Sequence, residues 1–113
     1  MINYHNRQFS SVRNSENGDV SEATEFHYTQ AGNIVSAKYA GGKIIEGHLI
    51  GVVDQEGNID MRYHHVNDQG LLMTGICHSV PEVLTDGRVR LHESWQWTSG
   101  DMSSGESIVE EVS

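Results

Sequence analysis

Three alternating segments joined by two turns of one form occupy residues 44–79, which read IIEGHLIGVVDQEGNIDMRYHHVNDQGLLMTGICHS. Both turns, at residues 54–57 and 67–70, follow the pattern Asp/Asn-x-x-Gly. This pattern suits a type I turn closed by a glycine bulge, which returns the chain as a neighbouring antiparallel strand. The stretch therefore predicts three consecutive strands of a meander.

Five further turn signals, rich in Gly, Asn and Asp, lie before and after this stretch. They predict eight strands in all, at 8–14, 24–29, 34–39, 44–53, 58–66, 71–79, 89–97 and 107–112. Every connection has the form of a hairpin between neighbours, and closing the sheet removes its exposed edges. We therefore predict one all-β domain over residues 1–113, a single eight-stranded antiparallel up-and-down barrel. A flattened two-sheet sandwich is the alternative.

Composition excludes several classes of protein. The 113 residues are 36% hydrophobic and 20% charged, which is typical of a globular domain, and the formal charge is −9. Lys and Arg do not cluster, and we interpret Arg88 and Arg90 as a solvated face, so no nucleic-acid partner is expected. Cys77 is the only cysteine, the N-terminus lacks the pattern of a signal peptide, and the longest apolar run is far too short to span a bilayer. We expect a cytoplasmic protein without a membrane partner.

The turn geometry sets which side chains of residues 44–79 share a face. If Asp54 lies opposite Asn58, one face is mostly apolar, and we predict it to be the interior. That face carries Ile45, Gly47, Leu49, Gly51, Val53, Ile59, Met61, Tyr63, His65, Met73, Gly75 and Cys77.

The seventh strand has to be placed by energetics, because we expect Pro81 to introduce a bend or bulge that breaks its register with the sixth. Burying two indoles is worth several kcal/mol at about 25 cal/mol per Å². Leu91, Glu93, Trp95 and Trp97 should therefore point inward. Glu93 then becomes an interior carboxylate, either bonded to Tyr63, an indole N–H or the backbone, or lining a small polar cavity.

The remaining reactive side chains favour ordinary structural roles. The histidines His48, His64 and His78, with Asp60, fit a polar outer face better than a metal site, and we expect no metal and no cofactor. Cys77 should be buried among apolar neighbours that raise the pKa of its thiol and leave it inert.

Several runs are similar to those of a known family: Gly47-His48-Leu49-Ile50-Gly51, Arg62-Tyr63-His64, Leu72-Met73-Thr74-Gly75, Leu91-His92-Glu93 and Trp95-Gln96-Trp97-Thr98. Over nearly its whole length the chain resembles a family of uncharacterised bacterial proteins of about 110 residues, often labelled N-acetylglutamate synthase by automated transfer. The resemblance assigns no chemistry to a residue. An acetyl-CoA-dependent acyltransferase of the usual kind also needs a Gln/Arg-x-x-Gly-x-Gly/Ala cradle between a strand and a helix. The chain has neither that motif nor a candidate helix, so we expect no synthase activity.

Our leading hypothesis is a barrel broadly similar to those of avidin and the lipocalins, which binds a small polar or amphipathic molecule. The predicted ligand-binding residues are Tyr63, His65, Cys77, Glu93, Trp95 and Trp97, with the segment 99–105 as lid or rim. One alternative is an isomerase- or lyase-type enzyme that uses Glu93 as general acid or base beside Tyr63 or His65. Another is a structural barrel without a ligand, acting through its outer surface or as a homodimer.

Overall fold

A computed structural model describes residues 2–112, which form a closed barrel of eight antiparallel strands. Each strand pairs with its neighbour in sequence, and β1 closes the sheet against β8. The prediction of an up-and-down barrel, rather than a sandwich, is confirmed. The strands are β1 Arg7–Asn14, β2 Glu25–Ala31, β3 Ile34–Gly41, β4 Ile44–Val53, β5 Ile59–Asn67, β6 Leu72–Val83, β7 Val89–Trp97 and β8 Ser104–Glu111.

The two Asp/Asn-x-x-Gly turns have the predicted form. Gly57 and Gly70 adopt φ values of 87° and 75°, in the left-handed region that favours glycine. Their N–H groups donate to the carbonyls of Asp54 and Asn67 at 3.1 and 2.9 Å. These turns give β4, β5 and β6 the expected register, with Leu49 opposite Tyr63 and Met61 opposite Cys77.

The expected break at Pro81 is wrong, because β6 runs straight through the proline and pairs with β7 as far as Val83. Thr74 and Leu84 hydrogen-bond to the β7 side, so the even-numbered residues of β6 face β7. The nitrogen of Pro81 therefore faces β5, and the β5–β6 ladder has already ended at Ser79. The sheet therefore loses no ladder hydrogen bond through the missing N–H of Pro81. Glu93 consequently lies directly opposite Ser79.

The expected inward position of Ile45 is also wrong. A shift in the β4–β5 register between Ile44 and Glu46 turns Ile44 into the core and leaves Ile45 on the surface. Such a bulge inserts one extra residue and reverses the alternation beyond it. A second shift, between Ser11 and Arg13 in β1, turns Asn14 toward the interior side.

We call the barrel end at which β1 begins and β8 ends the lower end, and the segment before β1 plugs it. Tyr4 is fully buried there, its hydroxyl donates to the carbonyl of Gly57, and its N–H donates to the side chain of Gln30. Its ring lies 6.0 Å from that of Tyr28, which packs edge-on to Phe9 at 5.0 Å. Residues before the first strand thus complete the lower core.

Three arginines pair with acidic residues at the lower end of β8. Arg88 and Arg90 each pair with Glu110 of β8 at 2.9 Å, and Arg7 pairs with Glu111 at 2.6 Å. In these partly exposed ion pairs, the arginine side chains are bound by glutamates of the same protein. Within residues 2–112, no helix is long and apolar enough to cross a bilayer.

Candidate functional site

A cavity of about 50 Å³ lies in the upper half of the barrel, and all six residues predicted to bind a ligand line it. The pleat brings Tyr63 and His65 from β5, Cys77 from β6, and Glu93 with both tryptophans from β7 to this one space. The wall is completed by Asn14, Gly18, Asp19, Val20, Phe26, Tyr39, Leu49, Met61 and Ser107.

Aromatic rings form one side of the cavity. Trp95 and Trp97 meet edge-to-face at 5.5 Å between ring centres, and Trp97 meets Tyr63 in the same way at 5.8 Å. Both tryptophans are buried, at 8% and 4% exposure, as the energetic argument predicted. Gly75 makes room for this group, because a Cβ there would lie 2.2 Å from the Tyr63 hydroxyl oxygen.

The Glu93 carboxylate is held by two serines on the strands that flank β7. Ser79 of β6 donates to Oε2 at 2.7 Å, and Ser107 of β8 donates to Oε1 at 3.1 Å. The expected partners, which were Tyr63, an indole N–H or the backbone, are therefore wrong. Burial raises the pKa of Glu93, although both serine hydrogen bonds act in the opposite direction. A raised pKa at a carboxyl group that lines a cavity marks Glu93 as a candidate functional group.

Cys77 lies beside Glu93 in the same wall. Its sulfur is 3.9 Å from the Ser79 hydroxyl, and the residue is buried. Burial first, and then the negative charge of Glu93, raise the pKa of the thiol well above its ordinary value. The thiol is therefore protonated at neutral pH and a poor nucleophile.

His65 is fully engaged in hydrogen bonds at the upper rim. Its Nδ1 lies 3.0 Å from the Tyr39 hydroxyl, and its Nε2 lies 2.9 Å from Oδ2 of Asp19. Asn67 also donates to that Asp19 oxygen, at 3.2 Å. Among the described residues, no hydrogen bond joins Glu93 to His65 or Tyr63, although all three line the same cavity. His65 instead ties the barrel wall to the segment above it.

That segment, residues 15–24 between β1 and β2, covers the cavity, and we call it the lid segment. Three of its residues, Gly18, Asp19 and Val20, line the space, whereas none of residues 99–105 does so within the described chain. Of the two roles expected for residues 99–105, lid or rim, the structure favours the rim. These residues lie beside the lid, where the Asn17 side chain donates to Ser103 and Ser104 at 2.9 and 3.0 Å. The Trp97 indole N–H donates to the Asn17 carbonyl at 3.0 Å, so the aromatic wall also holds the lid.

Asn14 is a lining residue that sequence reasoning missed. Its amide nitrogen donates to the carbonyl of Val20 in the lid at 2.7 Å. Its Oδ1 is, among residues 2–112, the only buried side-chain oxygen or nitrogen without a hydrogen-bond partner. The missed signal is the β1 bulge, since the unbroken alternation from Phe9 and Ser11 would have pointed Asn14 outward.

The outer histidine cluster has the predicted register, with His48 opposite His64 and a ring separation of 5.8 Å. Across residues 2–112, no three His, Cys, Asp or Glu side chains are placed to hold a metal ion.

Comparison with known proteins identifies the family. No curated protein and no solved structure matches this chain. A family model described as avidin-like protein matches residues 2–112, which is almost the whole chain. The closed barrel described above is the architecture expected of such a family, and it is consistent with a barrel that binds small molecules. Nothing in the match bears on the N-acetylglutamate synthase label. On the extent of the match, the chain belongs to the avidin-like protein family.

Proposed function

We propose that this protein binds a compact polar molecule in the upper cavity, beneath the lid segment and against Glu93. The observation that carries the proposal is an unfilled space in the barrel whose wall holds the Glu93 carboxylate and Asn14, a residue with a buried, unpartnered side-chain oxygen. Buried polar atoms are almost always satisfied by protein or by an ordered molecule, and an exception calls for an explanation. A bound molecule with a hydrogen-bond donor is that explanation.

The size of the cavity limits the occupant. At about 50 Å³, it is far smaller than the roughly 300–1,000 Å³ of pockets that hold drug-sized ligands. It has room for a few water molecules or a ligand of a few heavy atoms, since one water needs at least about 10–15 Å³. A larger ligand would have to displace the lid segment.

The purely structural alternative is less well supported. A barrel stabilised only by packing would fill its interior with apolar side chains at crystal-like density. Here the lower half is filled in that way by Tyr4, Phe9 and Tyr28, whereas the upper half keeps an open space beside Glu93. The contrast between the two halves favours a binding role for the upper one.

The test uses the two tryptophans, which are the only ones in the chain and both line the cavity. Protein purified from cells is denatured, and the small molecules it releases are identified by mass spectrometry. Each candidate is then titrated into refolded protein while tryptophan emission is recorded. We expect a saturable change in emission.

A matched pair of variants shows where the molecule binds. Leu49→Phe adds volume to a lining residue, and Ile50→Phe makes the same change on the outer face of the same strand. The first should abolish the emission change and the second should preserve it, with both proteins retaining their far-UV circular dichroism. Failure to recover any released molecule, together with no response to a panel of compact polar compounds, would overturn the proposal.

A further inference from the structure

The carboxylates that line the cavity have no cationic side chain beside them in the described lining. Glu93 and Asp19 contribute carboxylates, and Asn14 contributes the unpartnered carbonyl oxygen. Within the described residues, the lining includes no Lys or Arg. Both nitrogens of His65 are occupied by Tyr39 and Asp19, so its ring offers a ligand no free donor. Two lining groups, the Tyr63 hydroxyl and the Trp95 indole N–H, are hydrogen-bond donors, so the lining is one-sided in charge and not in hydrogen bonding.

Glu93 also lacks a positive partner. Its two oxygens accept hydrogen bonds from Ser79 and Ser107, which are neutral, and a carboxylate can accept about four in all. Burial without a counter-charge raises the pKa of this group. A cation beside it would provide the missing charge and favour the ionised carboxylate.

The remaining wall suits a cation as well. Trp95, Trp97 and Tyr63 line the cavity, and the Trp97 ring lies within 6 Å of the other two. The electron-rich faces of indole and phenol rings attract cations, most strongly where water is excluded. An anionic ligand would meet two carboxylates here and, in the described lining, no Lys or Arg side chain.

Resting on the proposed function, we propose that the ligand is a compact organic cation of the guanidinium or alkylammonium type, whose N–H groups donate to Glu93. The uncompensated carboxylate and the aromatic rings select positive charge, and the small volume selects a small head group.

The test compares three probes of nearly equal size. Methylguanidinium carries charge and N–H donors, methylurea carries donors without charge, and acetate carries negative charge. Each is titrated at constant ionic strength while tryptophan emission is recorded, and far-UV circular dichroism confirms that the protein stays folded. We expect methylguanidinium to bind at least tenfold more tightly than methylurea, and acetate not to bind.

Two isosteric variants separate the local carboxylate from the overall charge. Glu93→Gln removes the carboxylate of the cavity, and Glu106→Gln removes an exposed one from the outer surface, so the net charge changes equally. Glu93→Gln should weaken methylguanidinium binding at least tenfold while leaving methylurea binding within about threefold. Glu106→Gln should change neither.

The outcomes separate the two proposals. Equal binding of methylurea and methylguanidinium, or a Glu93→Gln variant that keeps the cation preference, overturns the assignment of a cation but leaves small-molecule binding intact. A lack of response to all three probes also overturns the assignment. The proposed function then stands or falls on the released-molecule experiment and on the response of the Leu49→Phe variant.

Discussion

Asp19 should act as the latch of the lid segment, and replacing it with alanine should open the cavity. The substitution removes the acceptor shared by Nε2 of His65 and Nδ2 of Asn67, at 2.9 and 3.2 Å. Both residues are buried, at 2% and 6% exposure. Each donor left buried without a partner costs about 1–3 kcal/mol, and opening the lid would hydrate both. The closed state should therefore lose about 2 kcal/mol or more relative to the open one.

Cys77 makes this opening measurable. It is the only cysteine in the chain, and it lines the cavity beneath the lid. If labelling by methyl methanethiosulfonate requires the lid to open, about 2 kcal/mol corresponds to a roughly 30-fold faster reaction, at about 1.4 kcal/mol per factor of ten. The rate is followed by mass spectrometry at fixed pH. Low urea concentrations should change it little, because opening a lid exposes far less surface than global unfolding.

Asp68→Ala is the matched control, since it removes an exposed carboxylate from the turn between β5 and β6 at the same end of the barrel. Its labelling rate should match that of the wild type. The reasoning is refuted if Asp19→Ala labels within threefold of the control. It is also refuted if the faster labelling has the full urea dependence of global unfolding, because Asp19 would then stabilise the whole barrel and not the lid.

Three further predictions concern stability. Burial raises the pKa of Glu93 in the folded state, so the protonated carboxyl group favours folding relative to the ionised one. This stabilisation is fully present below the unfolded pKa, near 4.3, and is lost as the pH rises through the folded pKa. The urea midpoint of Glu93→Gln should therefore rise relative to that of the wild type between pH 4 and 8. A difference between the two midpoints that stays constant over this range would contradict this. Tyr4→Phe should cost about 1–2 kcal/mol by leaving the Gly57 carbonyl unpaired, and Tyr4→Ala about 3–5 kcal/mol by emptying the lower plug. Equal urea midpoints for the two would refute the role of the ring. Gly75→Ala should cost about 1–3 kcal/mol, because its Cβ must displace the Tyr63 ring, and unchanged tryptophan emission and stability would show that the ring moves freely.

The strand order and much of the cavity wall could be predicted from local patterns. Turns such as Asp54 to Gly57 span only a few residues, and their geometry sets the pairing of β4, β5 and β6. From that pairing, Tyr63, His65 and Cys77 had to share a face. The cost of exposing two indoles then placed Trp95, Trp97 and Glu93 inside.

The errors arose where one residue changes the alternation or where partners are distant in sequence. Bulges in β1 and β4 turn Asn14 inward and Ile45 outward, and each depends on how two strands pair rather than on composition. Pro81 is harmless because the β5–β6 ladder ends before it, which cannot be seen in a single strand. The serine partners of Glu93 followed only once the β6–β7 register was known.

By itself, the sequence determined a closed meander with an aromatic interior and one internal acid, because hairpin turns and the two-residue period of strands are local properties. Only the tertiary structure decided what covers that interior and what remains unpaired inside it. Asp19 reaches His65 across 46 residues of chain, and Tyr4 reaches Gly57 across 53. Contacts of this kind form between segments that no local pattern relates, once the barrel has closed and brought its loops to a common end.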